Sequence, residues 1–210
     1  MDPPATGSRR VLFPLDGARK RRVLVSDFPF APFAWRRFIR ARCDEVTRAA
    51  LAAAMKLSEL ITSDLVEVPL RAADKWEALA AIARIPARAG RYPQSLVPTV
   101  EPALVVREKS MTTGMEDGIA IPHAAIDGID ELIAVLGLNP VGIPFETLDG
   151  APARIIIGLV IPRARKLAHI KTLAEIAKLL SRAEVRERLL RCTDAESAVR
   201  ALAEVQGAPR

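Results

Sequence analysis

Two continuous apolar runs constrain the fold of this chain more than any other feature. "LIAVLGLN" occupies residues 132–139 and "RIIIGLVIP" occupies residues 154–162. Neither run alternates polar with apolar residues, and both are rich in aliphatic and β-branched side chains. Such runs are typical of central strands that are covered on both faces. We therefore expect an α/β sandwich in which helices pack on both faces of a sheet.

Helical patterns flank these runs. Asp74 is placed as an N-cap with Glu77 at the capping-box position, and Gly90 is placed to end that helix. Pro86 should shorten or bend it. The residues expected on its buried face are Trp76, Leu79, Ile82 and Ala83.

The weaker patterns predict the remaining elements. A short helix opens at Ser58, an alternating strand covers 65–70, and "IAIP" at 119–122 reads as a short strand. The helical region at 93–110 is expected to be broken by Pro98 and is most convincing from Glu101. Gly114 and Gly118 allow positive φ angles in a turn, and Asp149-Gly150 is expected to form another turn.

The last third of the chain is predicted to be helical. Residues 169–180 form an amphipathic helix, a second helix follows, and Asp194 caps a third. The apolar stripe predicted for the first of these helices consists of Ile170, Leu173, Ile176, Ala177 and Leu180.

The positive charge is confined to the N-terminus. Residues 1–54 hold eleven Lys and Arg against five Asp and Glu, an excess that equals the net charge of +6 of the whole chain. Charge therefore does not indicate what residues 55–210 bind. We expect 1–54 to be a disordered or partly helical extension. Two interpretations remain open: a basic arm for nucleic acid, a membrane surface or an acidic partner, or a translated leader before a true start at Met55.

The sequence excludes several kinds of functional site, and it contains no candidate for a membrane span. It contains no phosphate-binding GxxxxGK[ST] loop, no GxGxxG, no GxSxG and no zinc-like cluster of His, Cys and Asp. Cys43 and Cys192 lie far apart, and every apolar run is too short to span a bilayer. We expect a cytoplasmic protein without membrane insertion.

His123 is the strongest candidate for chemistry. Ile121 precedes a proline and is therefore extended, while Pro122 fixes its own φ and lacks an amide hydrogen. The small residues Ala120 and Ala124 leave room for a ligand to approach. A neutral imidazole presented from such a stiff support has the lone pair that nucleophilic attack requires.

Arg107 and His169 are the candidate partners of His123. Read singly, Arg107 is a solvated charge and His169 is the polar start of a helix. A phosphoryl acceptor needs cations or donors around the transferred group, and an arginine fork matches phosphate oxygens. The three residues make chemical sense as one site, although sequence spacing does not show that they meet.

The motif "REKSMTTGMEDGIAIPHA" resembles the active-site signature of the mannitol/fructose-type enzyme IIA domains of the bacterial phosphoenolpyruvate-dependent phosphotransferase system. "HIKTLAEIAKLL" is similar to the second histidine block of that family, and "MKLSELIT" is similar to the start of its nitrogen-regulatory subgroup. The resemblance covers about residues 55–205. It implies a mixed β-sheet flanked by helices on both sides, which is a three-layer sandwich.

The resemblance also implies residue roles. His123 would accept a phosphoryl group from the phosphohistidine of a small phosphocarrier protein, either HPr or its nitrogen-branch counterpart. Arg107 and His169 would line the pocket. Thr113 and Gly114 would shape the adjacent turn, and together with Pro122 they would belong to the phosphate pocket. No metal or organic cofactor would be needed.

One departure from the family pattern concerns Ala125. The family commonly carries a basic residue shortly after the histidine, whereas this chain has "HAAIDG". Three functions stay open: a regulatory enzyme IIA acting on a target protein, a fructose or mannitol transport subunit that passes phosphate to a separate enzyme IIB, and a binding module that has lost phosphotransfer.

Overall fold

The computed structural model describes residues 56–165 and 169–207. Its sheet has five strands in the order β1-β4-β5-β2, and β3 also pairs with β5. The pairing of β4 with β5 is antiparallel and the other three pairings are parallel, so the sheet is mixed. The strands are β1 (Val66–Glu67), β2 (Ile119–Ala120), β3 (His123–Ile126), β4 (Ile133–Ile143) and β5 (Ala153–Pro162).

Six α-helices occur in the described part of the chain, with short 3-10 turns at Ser63–Leu65, Gln94–Leu96 and Arg163–Arg165. The helices are α1 (Leu57–Leu60), α2 (Lys75–Arg88), α3 (Val97–Ser110), α4 (His169–Leu180), α5 (Ala183–Leu190) and α6 (Ala195–Gly207). Among the described helices, none is both long enough and apolar enough to cross a membrane.

Strand β5 divides the core into two halves because its side chains alternate between the two faces of the sheet. Ile155, Ile157 and Leu159 join a buried cluster with residues of α1 and α4–α6. Ile156 and Val160 join a second cluster with residues of α2 and α3. Helices therefore cover both faces, which confirms the predicted three-layer α/β sandwich.

Glycines in β4 and β5 let neighbouring side chains approach the sheet closely on the face that α2 covers. A Cβ at Gly158 would lie 2.2 Å from Cγ2 of Ile82, and one at Gly137 would lie 2.4 Å from Cδ2 of Leu70. Both contacts are shorter than carbon atoms permit. The glycines are thus required by packing rather than by backbone conformation.

The prediction for α2 is largely confirmed. The carboxylate of Asp74 accepts hydrogen bonds from the amides of Trp76 and Glu77, each at 2.9 Å. Gly90 follows the helix at φ +70°. The expectation for Trp76 is wrong, because its side chain is exposed and stacks with the ammonium groups of Lys75 and Lys109. The helix also continues past Pro86 to Arg88, so Pro86 does not end the helix.

Three further element predictions are corrected by the structure. Pro98 lies in the first turn of α3 and starts that helix instead of breaking it, since the first helical amides need no intrahelical acceptor. The strand predicted at 65–70 is reduced to Val66–Glu67. Ile170 is exposed, and Thr172 joins Ile176 in the buried stripe of α4.

The region around His123 also differs from expectation in its backbone. His123 is the first residue of β3, a strand that the sequence patterns did not predict. Gly118 takes a positive φ of +71°, but Gly114 does not. Gly150 takes φ +73° in the predicted turn, and Asp194 accepts the amide of Ser197 at the start of α6 as predicted. Residues 1–54 and Met55, on which the extension and start-site interpretations depend, lie outside the described residues.

Candidate functional site

His123 is held in the sheet by its backbone. It pairs with Leu159 of β5, and the carbonyl of Pro122 accepts a hydrogen bond from the amide of Leu159 at 2.9 Å. Pro122 is buried and His123 is partly buried. Because Pro122 has no amide hydrogen, only its carbonyl is available for pairing at this position. The imidazole is therefore presented from an anchored strand end.

The hydrogen bonds of the imidazole assign its tautomer. Nδ1 lies 2.9 Å from the carbonyl oxygen of Ile121, and Nε2 lies 3.1 Å from Nε of Arg107. A carbonyl oxygen only accepts and an arginine Nε–H only donates. Nδ1 therefore carries the hydrogen and Nε2 carries the lone pair. This arrangement is that of a neutral imidazole whose Nε2 has the lone pair that a nucleophile requires.

Arg107 is held in place on two sides. It lies in the last turn of α3, where its Nη1 donates to the carbonyl of Met111 at 2.8 Å while its Nε donates to His123. The hydroxyl of Ser110 donates to the carbonyl of Arg107 at 2.7 Å. The guanidinium is thus fixed beside the imidazole, and a planar fork in this position is suited to phosphate oxygens.

Next to Arg107, Glu108 is a buried carboxylate that sequence reasoning did not assign to the site. Its Oε2 accepts from the amide of Thr113 at 2.9 Å and from the hydroxyl of Thr113 at 2.6 Å. Its Oε1 accepts from the hydroxyl of Thr112 at 3.1 Å and lies 3.5 Å from Nζ of Lys75. A detectable signal existed: Glu108 continues the buried spacing of α3 set by Val97, Val100 and Leu104. A charge at such a position needs a buried partner.

The turn at 112–114 is packed against another segment of backbone. A Cβ at Gly114 would lie 2.6 Å from the carbonyl oxygen of Glu146. Glycine is therefore required here by close approach and not by a positive φ. The carbonyl of Thr113 accepts from the amide of Ile121 at 3.0 Å, which ties this turn to the segment that carries His123.

The structure brings together most of the residues that the sequence singled out. Arg107 and His123 are in direct contact. Thr113 accepts a hydrogen bond from the amide of Ile121, Gly114 forms a β-bridge with Ala120, and Pro122 directly precedes His123. The hydroxyl of Thr113 donates a hydrogen bond to the carboxylate of Glu108. His169 begins α4, and its side chain lies outside the described part of the structure.

Ala125 lies two residues beyond His123 in β3 and pairs with Ile161. It is half-buried and packs against the apolar cluster that α1 and α4–α6 share with the sheet. An apolar residue therefore suits this position. Within the described residues, no group of three or more His, Cys, Asp and Glu side chains is arranged to hold a metal ion.

Comparison with known proteins identifies the family. Residues 59–205 match the family described as phosphoenolpyruvate-dependent sugar phosphotransferase system, EIIA 2. The chain belongs to this family. It is thus a phosphoryl-transfer protein of that system, as the resemblance of the Pro-His motif predicted.

Individual relatives agree with the family match. A nitrogen regulatory protein of Pseudomonas aeruginosa is 37% identical over 155 residues, which is 72% of this chain and 97% of that protein. The crystal structure of the nitrogen regulatory protein IIA-Ntr from Neisseria meningitidis superposes with a TM-score of 0.63 at 23% identity, covering 70% of this chain and 98% of that one.

The fold is also shared with a mannitol enzyme IIA. The structure of enzyme IIA-mannitol from Escherichia coli, determined in complex with phosphorylated enzyme IIB-mannitol, has a TM-score of 0.58 at 23% identity, and the match covers 68% of this chain and 96% of that one. At this level of identity the two solved structures establish the fold alone. The mixed sheet with helices on both faces is the fold of these enzyme IIA proteins.

Proposed function

We propose that this enzyme IIA accepts a phosphoryl group on Nε2 of His123 and acts through its phosphorylation state. The observation that carries the proposal is the pair of imidazole hydrogen bonds. The carbonyl of Ile121 accepts from Nδ1 at 2.9 Å, and Nε of Arg107 donates to Nε2 at 3.1 Å. Nε2 therefore carries a lone pair and has a cation beside it. Nucleophile and charge stabilisation are thereby supplied together.

The proposed donor is the phosphohistidine of a small phosphocarrier protein, HPr or its nitrogen-branch equivalent. The Nε2 lone pair attacks phosphorus, a new N–P bond forms, and the N–P bond of the donor breaks with its electrons returning to the donor imidazole. Nδ1–H of His123 stays on the carbonyl of Ile121 throughout. During this step Arg107 stops donating to Nε2 and donates to the phosphoryl oxygens instead, while it stays within the site.

The regulatory output follows from the change in charge. A phosphoryl group brings negative charge and strong acceptor oxygens to one surface of the protein. The 37% identical relative is a nitrogen regulatory protein, and we therefore favour a regulatory role for this chain. The target is a protein that distinguishes the two states, such as a kinase, a potassium transporter or a transcription regulator. This role places the chain in the cytoplasm with its phosphocarrier.

The transport function is the second candidate. The similar enzyme IIA-mannitol was solved with a phosphorylated enzyme IIB, and this chain shares its fold. In that role His123 would pass its phosphoryl group to a separate enzyme IIB. Transfer of label from this chain to an enzyme IIB cysteine would favour transport over regulation.

The deciding experiment is phosphorylation with phosphoenolpyruvate, enzyme I and the phosphocarrier protein. We expect one acid-labile phosphoryl group on the wild-type chain and none on His123→Ala. If the wild type takes no label, the third hypothesis, a binding module without phosphotransfer, replaces this proposal. Label that survives His123→Ala would place the acceptor elsewhere.

A further inference from the structure

A continuous set of buried contacts connects Glu108 to the imidazole of His123. Glu108 is 2% exposed, and it binds both the amide and the hydroxyl of Thr113. The carbonyl of Thr113 accepts the amide of Ile121 at 3.0 Å. The carbonyl of Ile121 in turn accepts Nδ1–H of His123 at 2.9 Å. Each contact holds the residue whose carbonyl makes the next one.

Lys75 completes this set from α2. Its side chain is 9% exposed, and its Nζ lies 3.5 Å from Glu108 and 3.0 Å from Glu146. A buried carboxylate is tolerated when a cation and several donors satisfy it, and its hydrogen bonds are then stronger than those of a neutral acceptor. Glu108 therefore holds the 112–114 turn more firmly than an uncharged side chain would.

Consecutive residues of one helical turn thus control the two nitrogens of the imidazole. Arg107 meets Nε2 directly, whereas Glu108 acts on Nδ1 through Thr113 and Ile121. If the turn moved, the carbonyl of Ile121 would lose its alignment with Nδ1. Only the donation from Arg107 to Nε2 would then favour the Nδ1–H form, and the Nε2–H form, which has no lone pair on that atom, would gain population.

We propose that Glu108 is a positioning residue that keeps His123 in the Nδ1–H tautomer and thereby leaves Nε2 nucleophilic. The effect on phosphorylation rests on the proposed function, but the effect on the tautomer does not. Glu108 does not touch the transferred group in this arrangement. Its contribution is the placement of a carbonyl, and its partners are Lys75 and Thr113.

The first test is nitrogen NMR of the His123 imidazole in the unphosphorylated protein, using Glu108→Gln. Glutamine has one acceptor oxygen in place of two and no charge for Lys75. We expect the wild type to show the neutral Nδ1–H form alone, and we expect the variant to show a mixture of both tautomers. Glu101→Gln, on the same helix and part of the surface pair with Arg84, is the matched control. It should retain the wild-type signals.

The second test is the rate of phosphorylation by the phosphocarrier protein. A small displacement of a reacting group lowers a rate by up to about hundred-fold, and we expect Glu108→Gln to lower the maximum rate by about ten- to hundred-fold. The carrier concentration at half-maximum should remain that of the wild type. A loss that only reflected instability would scale with the unfolded fraction and leave the tautomer unchanged.

Thr113→Val is the second variant, because it removes one bond to Glu108 while keeping the buried charge pair. It decides the question if Glu108→Gln does not fold. A folded variant of either kind with the pure wild-type tautomer would overturn the proposal. Failure of the wild type to accept phosphate would instead count against the proposed function, and the NMR result would still decide the role of Glu108.

Discussion

In the proposed phosphoryl transfer, the shape of the Arg107 side chain matters as well as its charge. Its Nε donates to Nε2 of His123 while its Nη1 is held by the carbonyl of Met111. Lysine would supply the same charge at one point without the planar fork. The identity of the cation therefore matters beyond its sign.

We predict that Arg107→Lys lowers the rate of phosphoryl transfer to His123 by roughly hundred-fold, the usual effect of losing one donor to a developing charge. The measurement is the rate of labelling by the phosphorylated carrier. Arg84→Lys, a surface substitution that keeps a cation opposite Glu101, is the control and should leave the rate unchanged. Equal rates for both variants and the wild type would contradict the role of the fork.

Tyr92 gives a second prediction at this scale. Burial raises the pKa of Tyr92 from 10.0 to about 12. Its hydroxyl donates to the carbonyl of Ala83. Since the folded state favours the neutral phenol, its contribution to stability is fully present below about pH 10 and is lost as the pH rises towards about 12.

We therefore expect the difference in free energy of unfolding between the wild type and Tyr92→Phe to shrink across that interval. Tyr92 is the only tyrosine of the chain, so the ultraviolet absorbance of tyrosinate follows its ionisation directly. Tyrosinate formation near pH 10 in the folded protein would contradict the prediction.

Arg107 and His123 could be singled out from the sequence because residue type and the Pro-His motif are visible there. Glu108 and Lys75 were not predicted, although Glu108 directly follows Arg107 in the same motif. Charged residues are usually exposed, and only the packing of α2 against α3 shows that these two are buried and paired. Tertiary burial thus separates the predictable part of the site from the rest.

Among the elements, the contact of α2 with β5 has the least tolerance. Gly158 leaves the space that Ile82 fills. We predict that Gly158→Ala destabilises the domain by about 1–3 kcal/mol, the usual cost of overpacking a core. Urea unfolding of the two proteins measures the difference.

Gly207→Ala is the control for this substitution, because no atom lies within 4 Å of the Cβ it would introduce. We expect no loss of stability there. A Gly158→Ala protein as stable as the wild type would show that Ile82 moves aside without strain.

Element prediction succeeded where local signals agreed with packing. The cap at Asp74 and the two apolar runs were found because capping and continuous hydrophobicity are local properties. Pro98 was misread because a proline in a first turn and a helix breaker look alike in sequence. The strand at 123–126 was missed because its pairing with β5 is a long-range contact.

For the whole molecule, the excess positive charge is separate in sequence from the candidate site. The excess positive charge lies in residues 1–54, whereas every described contact of the candidate site lies between Lys75 and Leu159. We predict that a chain beginning at Met55 is phosphorylated at the wild-type rate. Any salt-dependent binding to nucleic acid should be lost with the deleted residues.

Labelling kinetics and DNA binding at several salt concentrations, measured on both chains, test this separation. Retention of salt-dependent binding after the deletion would place it in the main domain. Slower labelling of the shorter chain would show that the extension assists phosphotransfer.

The placement of His123 in a strand rather than in a loop has a consequence for genetic variation. The β3–β5 ladder that carries the proposed phosphoryl acceptor is formed only by the folded domain. We expect a substitution in the core to reduce the abundance of competent molecules while each folded copy keeps its full reactivity. Such variants should lower the amount of active protein without changing the activity of each molecule. Raised expression should therefore restore the total activity.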